Sequence, residues 1–185
     1  MTTVPAWAYE RLTVHDYDPN WPQRAAETIE ELLPHLRPWL ADGIEHVGST
    51  AIPGMAAKPV IDLMASVTNL DAITTHMELP TDWHYVPPEL DGRPWRRFFV
   101  KTNPQATHRQ AHLHVMTAGH PRWAEQKNFR DALRANQERA KEYADLKRRL
   151  AEEHGNDREA YTDAKGEFVA RVMREMGQGQ ERGQE

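Results

Sequence analysis

The chain has 185 residues, no cysteine and a formal net charge of -5, which excludes disulfide staples, thiolate metal sites and cysteine nucleophiles. The acidic balance does not support an extended nucleic-acid or anionic-membrane surface, so any basic patch must be local. No window approaches about 18 consecutive apolar residues and the first ten residues lack an export signal's charged and apolar segments, so a soluble cytoplasmic protein is expected.

In chain order, the segment up to Pro19 holds a short mix, Arg11 to His15, that reads as an arm or an added strand. Asn20 then offers a cap and Pro22 an early helical proline, and Ala25, Ile29, Leu32, Leu33 and Leu36 recur at helical spacing. Pro34 would clash with the carbonyl four residues back, so this helix is expected to end or kink near Leu33, with a short turn leading to Leu40. Ile44 to Val47 reads as the first core strand and Pro59 to Val67 as its longer neighbour.

Between those strands, Gly48, Ser49 and Thr50 form a turn whose amides and small hydroxyls suit an anion, with Lys58 as a nearby point charge. The same residues also fit a plain turn. Asp62 stands inside the apolar run Val60 to Met64, and a charge there needs a partner such as a backbone amide or a metal ion. Strand alternation puts Asp62 on one face with Met64 and opposite Ile61 and Leu63.

Asn69 and Asp71 can cap a helix from Leu70 to Met77, and Trp83 to Val86 reads as a short strand before turn signals at Pro87-Pro88 and Asp91-Gly92. Arg93, Arg96, Arg97, Lys101 and Arg109 make a basic stretch in an acidic chain. If Arg96 to Thr102 is extended, Arg97, Phe99 and Lys101 share one face and Arg96, Phe98 and Val100 the other. The stretch is either a hairpin with solvated arginines or an anion-binding edge, with Arg97 as the anion-binding candidate.

Gln110 to Thr117 is the next strand, and in it His112 and His114 occupy one face while Leu113 and Val115 occupy the other. Set beside the Asp62 strand with the same face exposed, these residues would converge as two histidines and one carboxylate, a donor set for Mg²⁺, Mn²⁺ or Zn²⁺. From Gly119 the pattern is helical: Arg122 to Ala135, then Gln137 to His154 with Gly155 as a stop. A last helix follows a cap at Asn156 and Glu159, with Tyr161, Ala164, Phe168, Val169, Val172, Met173 and Met176 at its spacing. An α+β domain over residues 1–176 is expected, with 119–176 as its helical part and 177–185 as a disordered tail.

The run His46-Val-Gly-Ser-Thr-Ala-Ile-Pro-Gly54, the run Ala57-Lys-Pro-Val-Ile-Asp62, the pair His112 and His114, and Phe129-Arg-Asp-Ala-Leu-Arg134 resemble successive motifs of the GrpB family, over nearly the whole chain. That family is similar to the nucleotidyltransferases of the polymerase-beta type. The resemblance implies a mixed or antiparallel sheet of the nucleotidyltransferase type flanked by helices. It further implies a Gly-Ser turn facing metal-bearing carboxylates and an Arg130 that faces the site. The expected activity is transfer chemistry on a nucleotide or another phosphorylated or carboxylated small molecule, with Asp62, Ser49 and Lys58 as the catalytic candidates and Asp62, His112 and His114 as metal ligands. Here Met64 stands where active transferases of that type place a second acid, and one carboxylate cannot hold two ions about 4 Å apart. The alternative is therefore a non-catalytic ligand-binding or accessory module, as in GrpB-like domains fused to dephospho-coenzyme A kinases, although this chain has no kinase P-loop sequence.

Overall fold

The computed structural model describes residues 5–11, 13–153 and 165–182. Strands β1 (Leu40–Val47), β2 (Ile61–Val67), β3 (Trp83–Val86), β4 (Arg96–Thr102) and β5 (Arg109–Thr117) form one sheet in the order β1-β2-β5-β4-β3. β2 runs antiparallel to β1 and parallel to β5, and the remaining pairs are antiparallel, so the sheet is mixed and the class is α+β, as the sequence predicts. The central strands β2 and β5 carry Leu63, Ala65, Val67, Leu113 and Val115, all fully buried, the composition of strands covered on both faces.

One face of the sheet is closed by α1 (Trp21–Leu36) and α2 (Leu70–His76). Trp21, Ala25, Leu32, Leu36 and Ile73 pack there against Leu63, Val67, Leu113 and Val115. Asn69 caps α2 by accepting the amides of Asp71 and Ala72, as its position before the helix predicts. Helix α1 does not end at Leu33: it continues through Pro34 to Leu36, and the Arg37 amide closes on the Leu33 carbonyl at 2.9 Å. Pro34 lies on the exposed side, and burying Leu36 stabilises by about 1.5–3 kcal/mol, which offsets half or more of the roughly 3 kcal/mol cost of a helical proline.

The alternation that sends Leu63 and Leu113 to α1 turns Asp62, Met64, His112 and His114 to the other face. There the first turn of α4 (Pro121–Ala135) brings Trp123 against Met64 and Met116. The helices α4, α5 (Gln137–Glu153) and α6 (Gly166–Arg182) share a second core, in which Leu133, Tyr143, Phe168 and Val172 close over Ile52 and Met55 of the β1–β2 loop.

Smaller differences have local causes. β1 begins at Leu40, earlier than Ile44, because a bulge between Leu40 and Gly43 absorbs the irregular stretch. The turn signals at Pro87-Pro88 and Asp91-Gly92 enclose a one-turn helix, α3 (Pro88–Asp91), ended by Gly92 in the left-handed region. His15 forms an isolated bridge with Ala57, which anchors the N-terminal arm. The backbone of α6 is helical to Arg182, beyond the expected end at Met176. Leu12, the expected helix end at His154 and Gly155, the Asn156–Glu159 cap, Tyr161, Ala164 and residues 183–185 lie outside the described residues. Among the described residues no helix is long and apolar enough to cross a membrane.

Candidate metal and anion site

β1 delivers the chain to the site at Val47, which pairs with Asp62 on β2. The next residue, Gly48, has φ 71° and ψ -169°, a conformation essentially restricted to glycine. Ser49–Ala51 then make a single 3-10 turn. The loop is held from behind by three cations of the helical block. Arg130 donates to the His46 carbonyl at 2.9 Å, Arg134 to the Ala51 carbonyl at 2.8 Å and Lys147 to the Ala56 carbonyl at 2.6 Å. Each is a charge-assisted bond, about twice as strong as a neutral one, so the loop is clamped at both ends and in the middle.

Asp62 and His112 are direct register partners on the parallel pair β2 and β5, and His114 lies opposite Met64 one step along the same face. The Asp62 Oδ1 atom is 2.9 Å from His112 Nδ1 and 3.8 Å from His114 Nε2. One ligand atom from each of the three residues lies within 4.8 Å of the others. About a third of the Asp62 side chain, 34%, remains open, against 15% for His112 and 19% for His114, so the carboxylate is the most accessible of the three. Burial alone would raise the Asp62 pKa, but the hydrogen bond from His112 and the charge interaction with His114 outweigh it and hold the carboxyl well below the usual carboxylate range. An ionised carboxylate only accepts, so His112 donates from Nδ1. Its Nε2 is buried and has no hydrogen-bond partner among the described residues.

His114 is held from its other side. Arg96 on β4 donates to His114 Nδ1, and the same guanidinium makes two bonds to Asp91, one from Nε to Oδ2 at 2.8 Å. Phe98 stacks on the His114 ring at 4.9 Å, and the Arg96 guanidinium lies 4.4 Å above the Phe98 centroid. Burial pushes the His114 pKa down to about 4; Asp62 opposes this and Arg96 adds to it. The ring is therefore neutral at pH 7.

The predicted site residues divide into two groups. Gly48, Asp62, His112 and His114 meet as expected, with Ser49 half-buried on the adjoining turn. Thr50 is buried, and its hydroxyl is bonded to His46 Nε2 at 2.9 Å, so it braces the turn instead of facing a ligand. Lys58 is half-buried beside the Ala57 bridge, in the segment leading to β2. Arg97 does not reach the cleft: it points to the α1 and α2 face and pairs with Asp71 at 2.8 Å, because β4 presents Arg96 and Phe98 to the histidines. Arg130 also does not present its charge to the cleft. Its donors go to Glu45 at 2.7 Å, Asp131 at 2.8 Å and the His46 carbonyl.

Three further groups complete the setting. Burial pushes His46 down to about 4, against the pull of Asp62. Lys147 is only 3% exposed, and burial, then the charges of Lys165 and Arg148, push it down to about 7. Burial also lowers Lys165, and the charge of Asp62 acts on both lysines in the opposite sense. Lys147 has a signal in the sequence, since it shares the apolar stripe of Tyr143, Ala144 and Leu150, where a lysine is out of place unless it meets a carbonyl or an anion. Arg96 is marked by sharing strand parity with Phe98, but only the register of β4 on β5 says which face is the cleft.

Comparison with known proteins bears on the family and the fold. A family model described as GrpB protein matches residues 11–175. The protein named UPF0157 protein PA4798 of Pseudomonas aeruginosa is 40% identical over 181 residues, covering 89% of this chain and 67% of that protein. UPF0157 protein YqkA of Bacillus subtilis is 36% identical over 153 residues, covering 83% of this chain, and the chain spans only 43% of that relative's length. Among solved structures, the conserved protein GrpB from Enterococcus faecalis superposes with a TM-score of 0.75 at 28% identity, covering 88% of this chain and 96% of that one. On the strength of the matched length and these relatives, the chain belongs to the GrpB family.

Proposed function

We propose that the chain is a divalent-metal-dependent transferase of the nucleotidyltransferase-like kind, acting on a nucleotide or another phosphorylated or carboxylated small molecule. The observation that carries this reading is the convergence of Asp62, His112 and His114 at the foot of the Gly48 turn. One carboxylate and two imidazoles suit Zn²⁺ or Mn²⁺, and Mg²⁺ less well because it prefers oxygen ligands. When bound, such an ion supplies Lewis acidity that polarises a phosphoryl or carbonyl oxygen. The chain's own residues do the rest. Asp62 fixes the His112 ring through Nδ1, while the buried Lys147 and the half-buried Lys165 add positive potential that favours an anionic ligand over a neutral one. Ser49, half-buried on the turn beside Asp62, would supply a hydroxyl for ligand oxygens.

The test is thermal unfolding and calorimetry of the purified chain with Zn²⁺, Mn²⁺ and Mg²⁺, alone and with a panel of nucleotides and inorganic phosphate. A ligand at a hundred times its Kd stabilises by about 2.7 kcal/mol, and that gain should vanish in Asp62→Asn. No shift with any ion or nucleotide would overturn the reading. One observation favours a second reading, an accessory ligand-binding module. Met64 replaces an acid and is 1% exposed in a small apolar cluster with Val47 and Met116, so the sheet position of a second ligand has become packing. Nucleotide binding that is indifferent to metal would select that reading.

A further inference from the structure

The outer nitrogen of a metal-bound histidine normally donates its N–H to a carboxylate or carbonyl, which leaves the inner nitrogen's lone pair for the ion. At His114 the outer partner is the opposite kind: Arg96, which has only donors to give. A neutral imidazole has one proton and one lone pair. With the Nδ1 lone pair taken by Arg96, the proton stands on Nε2, the atom that faces Asp62 at 3.8 Å. In this arrangement Nε2 cannot bind an ion.

From this we infer that Arg96 and the metal ion compete for His114, so that Arg96, held by Asp91, sets the metal affinity of the site, an inference that rests on the metal reading above and refines it. For Nε2 to bind an ion, Arg96 must leave Nδ1 and the ring proton must shift from Nε2 to Nδ1, with no change in the charge of the ring. His112 needs no such change at Nε2, because its Nδ1 already donates to Asp62 and its Nε2 lone pair has no partner among the described residues. The two histidines are therefore unequal: the His112 lone pair is open, whereas His114 is latched.

The latch is built into the fold and is not a chance surface contact. The Arg96 side chain is 10% exposed and that of Asp91 is 5% exposed. Asp91 ends the one-turn helix α3 and takes two bonds from the guanidinium, while Phe98 packs against both that guanidinium and the His114 ring. Gly92, left-handed at the end of α3, turns the chain from Asp91 toward β4. Arg96 is thus a positioning residue: it acts on the ion only through the tautomer of His114.

The experiment is a Zn²⁺ titration by calorimetry of the wild-type chain, Arg96→Met, Asp91→Asn and Asp62→Asn. Methionine keeps the apolar contact over Phe98 and removes every donor. Losing a charge-assisted bond that opposes the ion should tighten Zn²⁺ about tenfold or more in Arg96→Met. Asp91→Asn, which only loosens the guanidinium, should tighten it less, and Asp62→Asn should abolish binding. Ring ¹⁵N shifts give a second readout that does not depend on affinity. His114 should carry its proton on Nε2 in the wild-type chain without metal and on Nδ1 in Arg96→Met loaded with Zn²⁺. Equal or weaker Zn²⁺ binding in Arg96→Met, with wild-type binding intact, overturns the competition and leaves the metal reading standing. No Zn²⁺ binding in any of the four proteins overturns both. If Arg96→Met fails to fold, the Asp91→Asn affinity and the wild-type ring shifts decide: unchanged affinity, or a proton on Nδ1 without metal, would reject the inference.

Discussion

Gly48 and Asp62 stand so close that a Cβ on residue 48 would lie 2.7 Å from Asp62 Oδ2 and 3.1 Å from its Cβ. The turn backbone therefore forms one wall of the carboxylate's position, and the left-handed φ of Gly48 makes that approach possible.

Gly48→Ala should damage the site twice. The backbone conformation costs a residue with a side chain about 1–3 kcal/mol, and the added methyl displaces the carboxylate from its bond with His112. The expected outcome is a lower urea midpoint together with weakened Zn²⁺ binding. Gly54→Ala is the control, because its φ is also positive but a Cβ there would meet nothing within 4 Å. That variant should lose stability without losing metal; equal metal loss in both would mean that the Gly48 contact is irrelevant to the site.

Arg97 and Arg130 are both ligand candidates by sequence, and their surroundings predict different costs. Arg97 pairs with an Asp71 side chain that is 91% exposed, so Arg97→Met should change stability by less than about 1 kcal/mol and leave Zn²⁺ and nucleotide binding unaltered. Arg130 is 9% exposed at the side chain and ties α4 to β1 through Glu45 and the His46 carbonyl. Burial would raise the Glu45 pKa, but Arg130 and Lys127 bring it below its ordinary value. Arg130→Met should destabilise by about 2–4 kcal/mol, the worth of one or two charge-assisted bonds, with Lys127 remaining as a partner for Glu45. Denaturant unfolding separates the two cases, and a silent Arg130→Met would remove the clamp from the account.

How much of this is legible in the sequence depends on whether a residue's partner is set by period or by register. His112 and His114 are readable because a strand's period of two puts them on one face, and Asp62 because a lone carboxylate in an apolar run must be answered by something. The choice between Arg96 and Arg97 is not, since alternation separates the two faces of β4 without saying which one meets β5's histidines. Thr50 resembles a ligand hydroxyl because nothing local announces that His46, four residues earlier, takes it. The run through Pro34 is hidden for the same reason: the burial of Leu36 that helps offset the proline comes from strands far along the chain. The face a residue shares through strand alternation is visible, and the side chains the fold then brings against it are not.

Lys147 supplies the remaining prediction, a pH dependence whose sign follows from its surroundings. Its ammonium donates to the Ala56 carbonyl, lies 5.1 Å from the Tyr143 ring centre, and is faced by Lys165, Arg148 and Asp62. Burial is the main cause that pushes it from 10.5 down to about 7, the two cations add to it, and Asp62 resists. Between those two values the unfolded chain binds the proton more tightly than the folded one, so the stability of the fold rises with pH across the window. Below about pH 7 the penalty for a buried charge is fully present; above about 10.5 it is gone. Lys147→Met removes both the penalty and the bond to Ala56. The wild-type protein should therefore gain on Lys147→Met as pH rises from about 7 to 10, with a limiting slope of about 1.4 kcal/mol per pH unit. Urea unfolding of both proteins at intervals across that range measures the difference directly and cancels the groups they share. A difference that stays flat with pH would mean that Lys147 keeps its ordinary proton affinity in the fold, and the positive wall behind the β1–β2 loop would then be permanently charged at neutral pH.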